Sequence, residues 1–395
     1  MNVGIDHIAT YVPNRYLSLK ELASARNIDE NKFLIGIGIK EMAVPSPWED
    51  IVVLAANAGY RVMKEAGISP KEIGLLIVGT ESAEDRAKPT ATHVHSLLDI
   101  SESCRVYDIL HACAGASYGL LSAVDWAHSP KHKYALVIAT DIARYGVGTP
   151  GEPTQGAGAV AMLVSKAPRL MKIKELSTYS KSTYDFWKPM DQKYPIVKGV
   201  YSVQCYLNAV KACFSKVTIN KNAVFIYHTP YPKLVEKVHA EVASLMGEAD
   251  NWRKHYADKV FSSNIYPSRV GNTYTASVWL SLVSFLETCY EGAIIQGISP
   301  IDAVKQHEGI YIFSYGSGCG AVLMQGELMD TWPTMVRSFQ VRQALDDRRR
   351  LTVEEYEQLL ETPALPMQID KFDGSHFKYS GVKNEERQYS RISTD

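Results

Sequence analysis

Three side chains of this 395-residue chain stand where apolar runs end and, brought together, could carry acyl chemistry: Glu81, Cys113 and His228. Glu81 follows IGLLIVGT (73–80), Cys113 follows RVYDIL (105–110), and His228 closes NAVFIYH (222–228). Reactive groups at the carboxyl ends of strands in an α/β sheet converge on one crevice. A thiol, an imidazole and a carboxylate there suit acyl transfer, with cysteine as nucleophile and the other two as proton handlers. Cys113 sits among small residues, Ala112, Ala114, Gly115 and Ala116, which let backbone approach a reacting group. The stretch after it reads as a helix, with Leu120, Leu121, Val124 and Ala127 at i, i+1, i+4 and i+7. A helix N-terminus favours a thiolate, so the thiol pKa is expected below its ordinary value of about 8.5. The Gly-rich turn Tyr315-Gly316-Ser317-Gly318 offers N–H groups to an oxyanion.

The elements that must position these groups alternate. Strands are expected over 2–12, 73–80, 105–110, 133–141, 172–180 and 222–230, with two more flanking the Gly-rich turn in 309–327. Helices are expected around 17–26 with Ser18 as cap, over 49–66 ended by Gly67, over 89–98, after Cys113, over 275–286, and over 352–360 with a Thr cap. GEPTQGAGAVAMLVSK (151–166) and GIYIFSYGSGCGAVLMQGE (309–327) each carry a Gly-rich turn with Gly-Ala before an apolar strand. This loose repeat splits the chain into two halves, 1–168 and 169–395. Alternating strands and helices imply an α/β protein with helix-covered sheets. The tail beyond about 366 has weak periodicity and is expected to wrap the surface or fray.

Composition narrows the classes. A net charge of -1 argues against binding nucleic acid through its phosphates. The six cysteines form no CxxC pair, so neither a zinc site nor a disulfide framework is expected. His93 and His95 are i, i+2 on a helix and do not face one another, which argues against a metal. No signal segment opens the chain, and no apolar run approaches the ~20 residues of a membrane helix. A soluble, cytoplasmic protein is expected.

NKFLIGIGIKEMAVPSPWEDIV, GTESAEDRAK, the Ala-Cys at 112–113, LVIATDIARYG, GEPTQGAGAVAML, YDFWKP, YHTPYPKL, VGNTYTAS and FSYGSG occur in an order and spacing that resembles the 3-hydroxy-3-methylglutaryl-CoA synthase family, of bacterial length. The resemblance covers nearly the whole chain. It implies a thiolase-like five-layer αβαβα fold of two similar halves, a homodimer, and an acyltransferase of the mevalonate route to isoprenoids. The implied reaction condenses acetyl-CoA with acetoacetyl-CoA and water to HMG-CoA and CoA, with no metal or redox cofactor. Cys113 would carry the acetyl group, Glu81 would take a proton from its methyl, and His228 would serve the acetoacetyl ketone. By the same resemblance Asn272 would hold the acetoacetyl carbonyl and Lys233 would contact CoA. Gly316 and Ser317 would donate to the enolate, and Tyr145 and Asp185 would shape the pocket.

The chain departs from the family pattern at Ala114, where many members carry Tyr, and at His111, where Glu or Gln is expected. Cys319 reads as packing beside the site. A type III ketoacyl synthase shares the Cys-His-Asn set but needs no carboxylate base, so Glu81 argues against it. A polyketide β-branching synthase acting on acyl carrier protein shares the same triad. An inactive scaffold has no need of all three groups.

Overall fold

The computed structural model describes residues 2–129, 133–361 and 375–392. Nine strands form its largest sheet: β1 (Gly4–Tyr11), β2 (Ile73–Gly79), β3 (Arg105–Ile109), β4 (Tyr134–Ile142), β5 (Ala157–Ser165), β6 (Met171–Ser180), β7 (Val224–Tyr227), β8 (Ile310–Gly316) and β9 (Gly320–Leu328). Their order is β7-β8-β9-β6-β1-β5-β4-β2-β3. Outward from β1, the partners β5 and β4 run antiparallel, then β2 and β3 parallel. Outward from β6, β9 and β8 run antiparallel, then β7 parallel. The two runs meet through the Gly4–Lys172 and Ile5–Met171 pairs of β1 and β6. Thus β2 and β7 hold matching places, and Glu81 and His228 follow their carboxyl ends.

Period-two burial builds the layers. Leu75, Ile77, Val137, Met162, Ile226, Ile312 and Met324 face one central core with helices α2 (Gly115–Ala127) and α5 (Ser277–Gln296). The alternate residues Leu76, Val78, Ile138 and Ala161 face α1 (Ile51–Ala66). Phe225, Tyr227, Phe313 and Leu323 face α3 (Gly199–Phe214) and α4 (Pro232–Leu245). Helix, sheet, helix, sheet, helix is the five-layer thiolase-like order.

Local physics explains the boundaries. Asp50 caps α1 by accepting the Val53 N–H at 3.0 Å, and Gly67 ends it in the left-handed region at φ 69°. Ser18 stands at the first turn of Leu19–Ala25 but makes no capping hydrogen bond. Thr352 does cap its helix: its hydroxyl accepts the Glu355 N–H at 3.2 Å, and Glu355 accepts the Thr352 N–H at 2.9 Å.

Three expectations are refined. The core face of α2 is Ala116, Gly119, Leu120, Ala123 and Ala127, while Leu121 and Val124 are only partly buried. Small residues are needed because α2 is pressed onto the sheet: a Cβ on Gly119 would lie 3.1 Å from Ile77. Helix α5 continues ten residues beyond 286, and Tyr274–Gln296 is long and apolar enough to cross a membrane. Its first half is instead the buried core of the middle layer, with Val278 to Leu286 among the strand side chains. Finally, residues 375–392 of the tail are an ordered hairpin on α1. The His376 N–H donates to Asn57 at 2.7 Å and the Tyr389 hydroxyl to Asp50 at 2.6 Å. Residues 366–374 and 393–395 lie outside the described residues.

Candidate active site

Cys113 lies in the turn between β3 and α2, where Ala112 takes φ 38° and the Ala114 N–H closes back on the His111 carbonyl at 2.9 Å. Gly79 lets this turn seat on β2, because a Cβ there would fall 2.3 Å from the Ala116 nitrogen. Gly316 does the same from β8: its Cβ would fall 2.6 Å from the His111 carbonyl oxygen and 2.8 Å from the Ala114 nitrogen. Both glycines are thus places where backbone must approach backbone.

The thiol is 7% exposed and donates to Glu81 Oε1 at 3.3 Å. Burial and the Glu81 and Asp141 carboxyls push its pKa well above the ordinary thiol range. This reverses the expected thiolate. Helix α2 begins at Gly115, two residues past Cys113, and its end is turned to Thr275, whose hydroxyl accepts the Ala116 N–H at 2.8 Å. Desolvation and two carboxyls outweigh a helix-terminus charge that falls off within a turn.

Glu81 is also pushed well above the carboxylate range, by burial and then by Asp141, with Lys188 opposing. Asp141, at the end of β4, is fully buried and raised to about 7 by that burial. Its Oδ1 accepts from the Thr80 hydroxyl (2.9 Å), the Glu81 N–H (2.9 Å) and the Ser82 hydroxyl (2.8 Å); its Oδ2 accepts the Thr275 N–H at 3.1 Å. Asp141 and Thr275 were not singled out in the sequence, although a carboxylate ending an apolar strand is a usable signal.

His228 extends β7, its N–H donating to Phe313 at 2.8 Å. Its Nδ1 is 2.5 Å from the Ser277 hydroxyl, which also accepts the Thr229 N–H at 3.2 Å. Nε2 has no partner among the described residues. Burial lowers the imidazole to about 3, so the ring is neutral. Ser277, the first residue of α5, is a second partner the sequence did not disclose.

The remaining predicted residues divide. Tyr145 packs with Phe186 and Tyr274 around Cys113, and Asn272 hydrogen-bonds its phenol. The Asn272 side-chain oxygen accepts the Tyr274 N–H at 2.9 Å. Asp185 is buried beneath the Gly-rich turn, accepting from Tyr315 (2.8 Å), Gly318 N–H (2.9 Å), Thr183 (2.9 Å) and Ser317. Those bonds hold its carboxyl below the usual range although burial opposes them. The Tyr206 ring, stacked on Tyr315 at 4.7 Å, ties this turn to His228 by donating to its carbonyl at 2.6 Å. Lys233 stands apart: it starts α4, half-exposed, and pairs with Glu236 at 2.6 Å. His111 packs on Tyr118 and lines a cavity of about 490 Å³ with Ser317 and Cys319. His95 Nε2 donates to the Ser101 carbonyl at 3.0 Å rather than facing His93.

A second cavity, of about 550 Å³, has Glu81 and Tyr274 on its wall. Among the described residues no group of three or more His, Cys, Asp or Glu could hold a metal ion.

Two family models match the chain: the hydroxymethylglutaryl-coenzyme A synthase N terminal over residues 1–168, and the C terminal over 172–246 and 243–374. A hydroxymethylglutaryl-CoA synthase of Enterococcus faecalis is 36% identical over 398 residues, covering 98% of this chain and 100% of that protein. The solved structure of MvaS in complex with 3-hydroxy-3-methylglutaryl coenzyme A superposes with TM-score 0.89 at 34% identity, covering 99% of both chains. The HMG synthase of the curacin biosynthetic pathway, in complex with acetyl donor-ACP, gives 0.86 at 26% identity, covering 99% of this chain and 100% of that one. With its fold, its order of motifs and its full length matched, the chain belongs to the hydroxymethylglutaryl-CoA synthase family.

Proposed function

We propose that this chain condenses acetyl-CoA with acetoacetyl-CoA and water to HMG-CoA and CoA, an early acyltransferase step of the mevalonate route. The observation that carries the reading is the Cys113 thiol 3.3 Å from Glu81, at the carboxyl ends of paired strands β3 and β2. Cys113 attacks the acetyl thioester, its proton passes by way of Glu81 to the departing sulfur, and CoA leaves as the thiol with Glu81 ionised again. Glu81 then takes a proton from the acetyl methyl, a poor acid that needs a buried, high-pKa carboxylate beside it. The enolate carbon attacks the ketone of acetoacetyl-CoA. The Ser277 hydroxyl, donating to Nδ1, leaves the proton of neutral His228 on Nε2, from which it passes to the ketone oxygen as the carbon–carbon bond forms, and the proton taken up by Glu81 restores the ring. Water finally splits the Cys113 thioester, releasing the product carboxylate.

The supporting residues take lesser parts. The Gly318 N–H is held by Asp185 and the Cys319 N–H by Lys181, which leaves the Gly316–Ser317 stretch to donate to the oxyanion. Asp185 fixes that turn, Tyr145 and Asn272 bound the acyl pocket, and Lys233 serves CoA at its entrance. No metal or redox cofactor is needed for these bond changes. A homodimer in the cytoplasm fits the reading: β3 is a sheet edge with no strand partner on its outer side among the described residues, and Leu110 beyond it is 78% exposed.

The test is to incubate the protein with acetyl-CoA, locate the acetyl group by peptide mass, and add acetoacetyl-CoA. Acetyl on Cys113, discharged with HMG-CoA and free CoA, is the expected result. Glu81→Ala should still acetylate and fail to condense; if it makes HMG-CoA, the base is another group. An acetyl-enzyme that acetoacetyl-CoA cannot discharge would favour a carrier-protein acceptor.

A further inference from the structure

Four cationic side chains share the wall of the cavity beside Glu81 with four carboxyls, Glu49, Asp50, Glu81 and Glu84. Arg144, Lys188, Lys193 and Arg387 line it. Arg387 is engaged by Asp50 at 2.7 Å and Glu84 at 3.1 Å. Glu49, also on the wall, accepts from Tyr11 and the Ser46 N–H. The Lys193 ammonium lies over the Tyr194 ring at 5.3 Å. Arg144 and Lys188 make no hydrogen bond or ion pair among the described residues. Arg144 is partly buried, and that burial lowers its pKa despite distant attraction from Glu84.

A partly buried guanidinium with no adjacent anion gains from one, and its planar fork matches a carboxylate. The walls around it are apolar at Pro45, Pro47, Ile142, Phe186 and Pro195. A volume of about 550 Å³ admits a small organic molecule. Asp50 and Glu84 on the same wall disfavour a dianionic phosphate. We propose that this cavity binds a small aliphatic carboxylate, its head on Arg144 with Lys188 beside it and its carbon chain against Ile142 and Phe186. Cys113 and His228 do not line the cavity, whereas Glu81 and Tyr274 form its inner wall. A bound anion therefore sits on the outer side of Glu81 and disfavours its ionised form. It slows condensation and spares acetylation of Cys113; this consequence alone rests on the role of Glu81 given above.

The experiment is calorimetric titration of the full chain with 3-methylbutyrate and, separately, with inorganic phosphate, on the wild type, Arg144→Gln and Arg144→Lys. Saturable binding of 3-methylbutyrate, at least tenfold weaker in Arg144→Gln and largely restored in Arg144→Lys, is expected, with acetylation of Cys113 unchanged in all three. Equal affinity in Arg144→Gln, absence of saturable binding by the wild type, or tighter binding of phosphate overturns the proposal. The same carboxylate should inhibit condensation by the wild type and not by Arg144→Gln. Arg144-dependent binding without inhibition supports the site and counts against Glu81 as the base.

Discussion

Asp141 accepts the backbone N–H of Glu81 at 2.9 Å, so the carboxyl that raises the Glu81 pKa also fixes the backbone that carries it. Asp141→Asn separates the two effects. It removes a negative charge, so the Glu81 pKa falls. It also sets an amide NH₂ against the Thr275 N–H if the Oδ1 contacts are kept, so the β4–α5 junction loosens. The expected result is a condensation rate lower by about 100-fold, the scale of a misplaced catalytic group, together with an ascending pH limb moved to lower pH. An unmoved limb would remove Asp141 from the electrostatics of Glu81.

The strands, the nucleophile turn and the three reactive strand ends were legible in the sequence because each is a local pattern: an apolar run bounded by Gly, and a polar residue just past it. The partners were not. Asp141 is sixty residues from Glu81 and Ser277 is forty-nine from His228, and only the sheet order and the layering of α5 bring them together. The thiolate expectation failed for the same reason, since a helix start is local whereas the burial of Cys113 and its two carboxyl neighbours is tertiary. The helix after Cys113 was legible from its spacing, but not that its tightest contact uses Ala116, Gly119 and Ala123, small residues that a helix between two sheet layers needs.

The raised carboxyls set the pH dependence. Condensation needs ionised Glu81, whose pKa burial and Asp141 raise, so its rate should climb at a pH well above the ordinary carboxylate value of about 4.3. His228, lowered to about 3, adds no limb above pH 5. Stability moves oppositely. Asp141 binds its proton up to about pH 7 when folded and loses it near 3.8 when unfolded, so the folded state holds the extra proton between. That contribution is full below the unfolded value and is lost as pH rises toward 7. Urea midpoints measured across pH 4–7 should carry this downward contribution in the wild type and lack it in Asp141→Asn. Identical slopes in the two proteins would show that Asp141 is not protonated in the fold.

Ser277→Ala leaves His228 Nδ1 and the Thr229 N–H without their common hydroxyl. The ring loses the bond that fixes its tautomer, and condensation should fall by about 10- to 100-fold, the scale of support lost beneath a reacting group. Acetylation of Cys113 should persist, because Ser277 touches neither the thiol nor Glu81. A matching loss of acetylation in a peptide-mass time course would mean that the change disturbs the whole crevice.

Gly79→Ala tests whether the nucleophile turn depends on close backbone approach. The new Cβ would lie 2.3 Å from the Ala116 nitrogen and 2.5 Å from its Cα, both main-chain atoms that move only if α2 moves. Overpacking of this kind costs about 1–3 kcal/mol, so the denaturation midpoint should drop. The acetylation rate should drop further than stability alone accounts for, because the shift of α2 carries Cys113 away from Glu81. Gly199→Ala is the control: nothing lies within 4 Å of the added Cβ at the start of α3. Its midpoint should hold or rise slightly, since alanine is the better helix former. If Gly79→Ala kept wild-type acetylation at its lowered stability, the thiol position would be set by the turn itself rather than by the seating of α2 on β2.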